Sequence, residues 1–391
     1  MQQNERESIF NAIEAARGIG CFFCKFLSAN DTGANGSHQT GVYLNMSSWD
    51  IFFEGPIPNN EIKSRKVKIN FNDETEFESR LVYYSSKKEF RITRFWTNIF
   101  IPHTEMVGAL ILFIPMHIDE YKVYIFNTEE EIEEFIETFS LSLAENHMTY
   151  YENDETIEKE SFELIIKKLI HGYDHFPASI VMSDISRKTF MEYHHKNEIN
   201  PDSDLVNWVD TEYDVFKMLE KQIYKEYITE PFNELQPLLD FANSALNRRK
   251  SRAGRSLEHH VNYIFKKYKL PFDNPGKTEG RKKPDFLLPS TEDYQNSEFP
   301  AENLILVGAK TTCKDRWRQV LSEGERVERK HLITLQQGIS ENQLEEMEAA
   351  NLQLVVPKPY HKQYPKSFKD KIWTVQQFID FAQDKYIYMM S

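Results

Sequence analysis

Short apolar segments separated by turn residues dominate the first 127 residues of the chain. Each segment is rich in β-branched and aromatic side chains, and Gly, Asn, Asp or Pro residues separate the segments, which predicts β-strands. Strands at this spacing, with little helical periodicity between them, predict a small barrel or pseudobarrel. The segments are GCFFCKFL (20–27), TGVYLNM (40–46), KVKINF (66–71), RLVYYSS (80–86), FRITRFW (90–96), GALILFIPM (108–116) and YKVYIF (121–126).

The pattern changes to helical spacing after Thr128. Thr128 followed by Glu131 is a capping-box signature, and it predicts that an acidic helix over 129–145 begins there. The polar run YENDETIEKE (151–160) resembles a linker. Apolar residues then recur at helical spacing in SFELIIKKLI, TEYDVFKMLEKQIYKEYI, LQPLLDFANSALNRR and LEHHVNYIFKKY.

Strands and helices alternate in the last third of the chain. The strands DFLLP, NLILVGAK, HLITL and LQLVV are separated by helical stretches, one from about Lys314, and WTVQQFIDFAQDKY is a final helix. This alternation predicts an α/β core with a mixed sheet and extra helices. We therefore expect an N-terminal mainly-β domain over 1–150, a linker over 151–160 and an α/β domain over 161–391.

Composition agrees with two packed domains and excludes several classes of protein. The 391 residues, 40% of them hydrophobic and 13% aromatic, suffice for packed cores. No apolar run is long enough for a spanning helix, and the first residues do not resemble a secretory signal. The three cysteines Cys21, Cys24 and Cys313 favour a reducing compartment over a disulfide scaffold. The expected location is the cytoplasm.

The net charge of −14 conceals a strong asymmetry along the chain. Residues 128–163 contain thirteen acidic residues and one lysine, whereas residues 248–283 contain twelve basic residues and three acidic ones. Attraction to phosphates depends on the local field, which salt screens beyond about 10 Å. We expect the acidic helix to be a solvated face away from a basic cleft, so the charge leaves DNA binding open.

Two strand ends present a pair of residues suited to phosphodiester chemistry. KKPDFLLPS places Asp285 at the start of one strand, and NLILVGAK places Lys310 at the end of another. A carboxylate can hold Mg²⁺, and an ammonium group can orient the nucleophile or stabilise developing charge. The pair resembles the PD…(D/E)xK nuclease pattern, although Gly308 occupies the position where a second acid is usual.

The segment VGAKTTCKDRWRQVLSEGE (307–325) closely resembles the catalytic stretch of the EcoRII restriction endonucleases, in the clade that cuts CC/GG-containing sites. The resemblance implies that the helix after Lys310 supplies the missing acid, and Glu323 lies thirteen residues after that lysine. It also implies that Asp285 and Glu323 are the metal ligands. Glu258 matches a further active-site acid and Lys314 a second active-site lysine.

The resemblance extends over essentially the whole chain. HFPASIVMS, SRAGRSLEHHVNYIF and KKPDFLLPS are similar to EcoRII segments and occur in the same order. FLSANDTGANGSHQTGVY and EFRITRFW resemble the EcoRII N-terminal effector domain, a DNA-binding pseudobarrel.

The resemblance also implies DNA-reading residues in both domains. Arg316 and Arg318 suit bidentate pairing to guanine, and Asp315 can accept a hydrogen bond from cytosine N4. In the N-terminal domain two arms resemble DNA clamps, although composition alone would favour an ordinary polar loop for the first. The first arm comprises Lys25, Asn30, Asp31, Thr32, Asn35, His38 and Gln39, and the second Lys88, Glu89, Arg91 and Arg94.

These observations predict a type II restriction endonuclease of the PD-(D/E)xK superfamily. The expected reaction is Mg²⁺-dependent hydrolysis of double-stranded DNA at a short CCWGG-like site, with the N-terminal domain as an effector or second recognition module. A homodimer follows from palindromic targets, and a cognate DNA methyltransferase is the expected partner system. The alternative is a DNA-binding regulator that does not cleave.

Overall fold

The computed structural model describes residues 2–36, 41–59, 61–99, 101–152, 160–229 and 232–390. The strands are β1 (Cys21–Phe26), β2 (Gly41–Leu44), β3 (Ile62–Phe71), β4 (Thr75–Tyr84), β5 (Glu89–Thr93), β6 (Leu110–His117), β7 (Glu120–Phe126), β8 (His147–Tyr151), β9 (Phe286–Leu288), β10 (Ile305–Lys310), β11 (Lys330–Thr334) and β12 (Leu352–Val355). The α-helices are α1 (Gln2–Ile19), α2 (Trp49–Phe52), α3 (Glu129–Thr138), α4 (Glu160–Ile170), α5 (Ser179–Tyr193), α6 (Pro201–Ile223), α7 (Lys225–Thr229), α8 (Leu235–Lys267), α9 (Thr291–Gln295), α10 (Trp317–Leu321), α11 (Glu341–Ala349) and α12 (Val375–Met390).

The N-terminal strands form one eight-stranded sheet in the order β2-β5-β4-β3-β7-β6-β1-β8. In a flat sheet of this order β1 and β2 would lie roughly 29 Å apart, at about 4.8 Å per strand. Instead, Lys25 Nζ on β1 donates to the Tyr43 carbonyl on β2 at 2.9 Å. The sheet therefore curls until its two ends meet, which confirms the predicted mainly-β pseudobarrel.

Both faces of this sheet are covered. An aromatic-rich core that includes Phe52, Phe90 and Phe113 fills the inside of the curl. On the outside, α1 and α3 pack against β1, β6 and β7, with Phe22 and Phe135 in edge contact. The sequence pattern did not predict α1, because its apolar positions are few, or β8, which pairs with β1.

The C-terminal part is built on a four-stranded mixed sheet in the order β12-β11-β10-β9. β10, β11 and β12 are parallel, whereas β9 runs antiparallel to β10. One hydrophobic core joins this sheet to α6, α8 and α12. The predicted α/β fold with a mixed sheet and extra helices is confirmed.

Several helices differ from the sequence pattern. The acidic helix predicted over 129–145 is α3, which ends at Thr138. The segments predicted as separate helices over 235–249 and 257–268 form the single helix α8, because the intervening KSRAGRS contains no proline and its one glycine does not suffice to end the helix. The helix expected from about Lys314 is only five residues long and begins at Trp317. The predicted linker over 151–160 falls mostly on 153–159, outside the described residues.

Candidate active site

Asp285 and Lys310 meet where β9 begins and β10 ends. The antiparallel pairing of Phe286 with Val307 places these two strand ends side by side. One carboxylate oxygen of Asp285, Oδ2, accepts from the Ala309 amide at 2.7 Å and from Lys310 Nζ at 3.0 Å. Its other oxygen accepts no hydrogen bond from the described residues, and Asp285 lines the pocket described below.

Packing explains why the position two before Lys310 is a glycine. A Cβ at Gly308 would lie 2.6 Å from Cγ2 of Val320 on α10. Because α10 packs directly over β10 here, neither Asp nor Glu fits at this position without moving the helix. A second acid must therefore come from another segment.

Glu323 supplies a carboxylate close enough to interact with Asp285. It lies just after α10 rather than on it, and is followed by Gly324 with φ +69°. Burial raises the pKa of Glu323 to about 7, the nearby Asp285 charge adds to the rise, and Lys310 opposes it. Two carboxylates that interact in a partly dehydrated cleft form a site that a cation would stabilise.

Glu258 reaches the same pocket from α8. A cavity of about 230 Å³ is lined by Glu258, Asp285 and Lys310. Asn274 Nδ2 donates to Oε1 of Glu258 at 2.7 Å. The structure thus brings Asp285, Lys310 and Glu258 together, with Glu323 beside them.

The donor set fits a hard divalent cation. Among the described residues no group of three or more His, Cys, Asp or Glu side chains lies close enough to form a complete site alone. Mg²⁺ is commonly bound by one or two carboxylates while several ligands remain water or substrate phosphate. The free oxygen of Asp285 and the carboxylate of Glu323 match that pattern.

Lys314 does not lie in the catalytic pocket in this structure. Its side chain is only 2% exposed, and its ammonium group donates to the Asn127 side chain, which precedes α3. Burial lowers the pKa of Lys314 to about 8, against nearby carboxylates that raise it. A catalytic role for Lys314 stays a prediction, and it requires the lysine to leave Asn127.

The segment predicted to read DNA is covered by the acidic helix α3. The Glu129 carboxylate accepts from the backbone amides of Asp315 and Arg316, at 2.9 and 3.2 Å, and pairs with the Arg316 guanidinium. Glu133 also pairs with Arg316 and accepts from Thr312 Oγ1 at 3.1 Å. Asp315 in turn accepts from the Glu129 amide at 3.3 Å. Arg318 points elsewhere and pairs with Glu346.

The expectation that the acidic helix is a solvated face away from the basic segment is wrong. Glu129 is 4% exposed, and Glu133 and Glu137 line the catalytic pocket. Near the end of α3, Arg249 donates to the Glu137 carbonyl at 3.0 Å. Sequence patterns gave no signal for these contacts, because they join residues more than a hundred positions apart.

The first predicted arm of the N-terminal domain is partly buried. Lys25 and Asp31 form an ion pair at 2.7 Å with side chains 3% and 1% exposed, and Thr32 is fully buried. Asp31 also accepts from the amides of Ser28 and Tyr43. In this conformation Lys25, Asp31 and Thr32 are buried and shape the loop. Their contact with DNA stays a prediction.

The remaining arm residues lie nearer the surface. Asn30 is exposed, and Asn35 donates to it at 2.7 Å while accepting from the Lys366 amide of the C-terminal part at 2.9 Å. His38 and Gln39 lie outside the described residues.

The second arm follows β4. Lys88 and Arg94 are exposed with positive φ, and Glu89 pairs with Arg91. A cleft of about 390 Å³ joins the two arms, lined by Lys25, Asn30, Asp31 and Arg91 together with Lys362 of the C-terminal part.

Two known protein families match the chain. "Restriction endonuclease EcoRII, N-terminal" matches residues 16–153, and "EcoRII C terminal" matches residues 216–379. The type II restriction enzyme EcoRII of Escherichia coli is 34% identical over 379 residues, which is 91% of this chain and 92% of the relative. The chain belongs to the EcoRII family of type II restriction endonucleases.

More distant similarities concern parts of the chain. The type II restriction enzyme SsoII of Shigella sonnei is 26% identical over 157 residues, 38% of this chain and 50% of that relative. Among solved structures, metal-depleted Ecl18kI bound to uncleaved DNA is 21% identical, covering 58% of this chain and 84% of that chain with a TM-score of 0.42. The PspGI–substrate DNA complex is 16% identical, covering 55% and 94% with a TM-score of 0.44.

Membership of the EcoRII family confirms the predicted class of activity. The protein is a type II site-specific deoxyribonuclease, a DNA-binding hydrolase of a restriction–modification system. No helix within the described ranges has the length and apolar character needed to cross a membrane.

Proposed function

We propose that this EcoRII-family enzyme hydrolyses both strands of DNA in a Mg²⁺-dependent reaction at a short CC/GG-containing site of the CCWGG type. The observation that carries the proposal is the Asp285 carboxylate, which lines the pocket and has one oxygen held by the Ala309 amide and Lys310. Glu258 lines the same pocket, and the carboxylate of Glu323 is close enough to Asp285 for the charge of Asp285 to raise its pKa.

Each residue has a distinct role in this proposal. Asp285 and Glu323 would hold Mg²⁺, which when bound supplies charge neutralisation at the phosphate and a more acidic water molecule. Lys310, fixed by its ion pair with Asp285, orients the nucleophile and stabilises the negative charge that develops on the phosphate. Glu258 provides a further carboxylate, and Lys314 would join Lys310 once it is released from Asn127.

Mixed-sequence DNA tests the proposal directly. The full-length protein should convert it to a discrete set of fragments with Mg²⁺ and leave it intact with EDTA. Intact but protein-bound DNA under all metal conditions would instead support the non-cleaving alternative, which no structural observation favours.

Cleavage should depend on pH through Glu323. Its pKa is raised to about 7, so the carboxylate is mostly protonated at pH 6 and mostly ionised at pH 8. Mg²⁺ binds the ionised form and displaces the proton. As the pH rises towards 7, the half-saturating Mg²⁺ concentration should therefore fall by up to about tenfold per pH unit, and above pH 7 it should become constant. Cleavage rates measured against Mg²⁺ at pH 6, 7 and 8 test this, and a half-saturating concentration independent of pH would contradict it.

Arg316 should contribute to sequence specificity. A bidentate arginine–guanine contact is worth about 1–3 kcal/mol of discrimination. Arg316→Ala should therefore weaken binding to the recognition site by about 10- to 100-fold while changing affinity for unrelated DNA much less. Competition binding measures this, and equal losses on both DNAs would assign Arg316 to phosphate contact instead.

We propose that the chain consists of an N-terminal domain over residues 1–150, a linker over 151–160 and a nuclease domain over 161–391. The N-terminal domain would bind a second DNA segment as an effector. Because α3 holds Arg316 and the Asp315 amide, DNA must displace this helix before it reaches the recognition segment. We infer that the N-terminal domain restrains the nuclease until that displacement occurs.

The remaining proposals concern partners and location. Palindromic targets favour a two-fold homodimer, since each subunit then cuts one strand. A cognate DNA methyltransferase would protect the same sites in the host, and the cytoplasm is the compartment where both would meet DNA.

A further inference from the structure

The side chain of Asn274 connects the two segments that carry the pocket carboxylates. Asn274 lies between the end of α8 and the start of β9. One N–H of its amide donates to Oε1 of Glu258 at 2.7 Å, and the same nitrogen donates to the Asp285 carbonyl at 2.7 Å. Both donors of the amide are therefore used on the two acidic residues of the pocket.

A second asparagine fixes the orientation of that amide. Asn262, one helical turn after Glu258 on α8, donates through Nδ2 to Oδ1 of Asn274 at 2.8 Å. Because Oδ1 is occupied by a donor, the Asn274 nitrogen must face Glu258 rather than the reverse. The chain of contacts runs Asn262 to Asn274 to Glu258, and on to the backbone of Asp285.

This arrangement restricts a side chain that is otherwise poorly fixed. A glutamate on a helix has three rotatable bonds, and in the described residues the only hydrogen bond that the Glu258 carboxylate accepts is the one from Asn274. That bond occupies Oε1, whereas Oε2 accepts none from the described residues. Asn274 thus holds the carboxylate at the pocket and leaves one oxygen for a ligand.

We propose that Asn274 is a positioning residue that aligns Glu258 with Asp285 for binding of the divalent cation or its water ligands. The inference rests on the proposed metal-dependent cleavage. Residues that orient metal-binding side chains typically change metal affinity or activity by about 10- to 100-fold when they are replaced.

Asn274→Asp is the sharpest test, because it keeps the shape but replaces the donating nitrogen by an acceptor that repels Glu258. In the full-length protein it should raise the half-saturating Mg²⁺ concentration for cleavage by about tenfold or more. Mn²⁺ alone is titrated into the protein, and the free ion is measured by its electron paramagnetic resonance spectrum. The affinity for Mn²⁺ should fall by the same factor, without any DNA cleavage. The matched control is Asn351→Asp, at an exposed position outside the pocket. It should bind Mn²⁺ and cleave DNA as the wild type does.

Two further variants keep the test decisive. If Asn274→Asp does not fold, Asn262→Asp is used in its place. A carboxylate at position 262 accepts hydrogen bonds only, so it should turn the Asn274 amide away from Glu258. Mn²⁺ binding should therefore be weaker than in the wild type. In the Glu258→Gln background, Asn274→Asp should cause less than about a twofold further loss, because residues that act through one another are not additive.

The outcomes separate this inference from the proposed function. Wild-type protein that neither binds Mn²⁺ nor cleaves DNA would contradict the proposed function itself. Two results would overturn the inference alone, provided that the wild type binds Mn²⁺ and cleaves DNA. One is an Asn274→Asp variant with unchanged Mn²⁺ affinity. The other is a loss of Mn²⁺ affinity in Asn274→Asp that adds fully to the loss in Glu258→Gln.

Discussion

Replacement of Lys310 by alanine should lower the rate of DNA cleavage by about 10³-fold while leaving DNA binding within about threefold of the wild type. Lys310 is the cation fixed beside the Asp285 carboxylate, with Nζ 3.0 Å from Oδ2. Its loss removes charge stabilisation in the transition state, whereas contacts with the rest of the DNA are unchanged. Single-turnover cleavage and a binding assay in EDTA measure the two effects separately.

The control for this prediction is a lysine that makes a surface ion pair. Lys371, half exposed and paired with Glu348 at 2.7 Å, lies in the same domain. Lys371→Ala should cleave at the wild-type rate, because exposed ion pairs contribute about 0–1 kcal/mol. Efficient cleavage by Lys310→Ala, or an equal loss in both variants, would remove Lys310 from the catalytic centre.

Neutralising the acidic contacts of α3 should have the opposite effect. The double variant Glu129→Gln/Glu133→Gln removes the negative charges that pair with Arg316 and line the approach to the pocket. Hydrogen bonds to charged groups contribute about 1.5–3 kcal/mol each, so their weakening should free the recognition segment more often. We expect cleavage of a plasmid with a single recognition site to become about tenfold faster or more.

Glu134 provides the comparison on the same helix. It is exposed, and Glu134→Gln removes one negative charge from α3, half the change in the double variant, without touching the Arg316 contacts. This variant should cleave the single-site plasmid at the wild-type rate. If the double variant is no faster than Glu134→Gln, the α3 contacts do not restrain the nuclease.

Local features of the sequence predicted much of the fold. The capping box at Thr128 and Glu131 is present as expected, with both reciprocal hydrogen bonds. Short segments rich in β-branched and aromatic residues predicted the strands, because such side chains pack well on a pleated sheet. The pairing of Asp285 with Lys310 followed from their positions at strand ends, where adjacent strands bring residues 25 positions apart into contact.

Features set by long-range packing could not be predicted in the same way. The presence of glycine rather than an acid at position 308 is explained only by the packing of Val320 against this position. The contacts of α3 with Arg316 and the Asn274 bridge depend on how separate elements dock, and no local pattern encodes that. The burial of the Lys25–Asp31 ion pair likewise depends on long-range packing, because the curl of the sheet brings the Tyr43 backbone on β2 against both side chains.

Sequencing the ends of DNA fragments produced by the full-length protein with Mg²⁺ tests the central claim most directly. The account predicts breaks at one defined position within a short CC/GG-containing sequence, which are absent in EDTA and with Asp285→Asn protein. Breaks at random sequences, or equal cleavage by the Asp285→Asn variant, would contradict it.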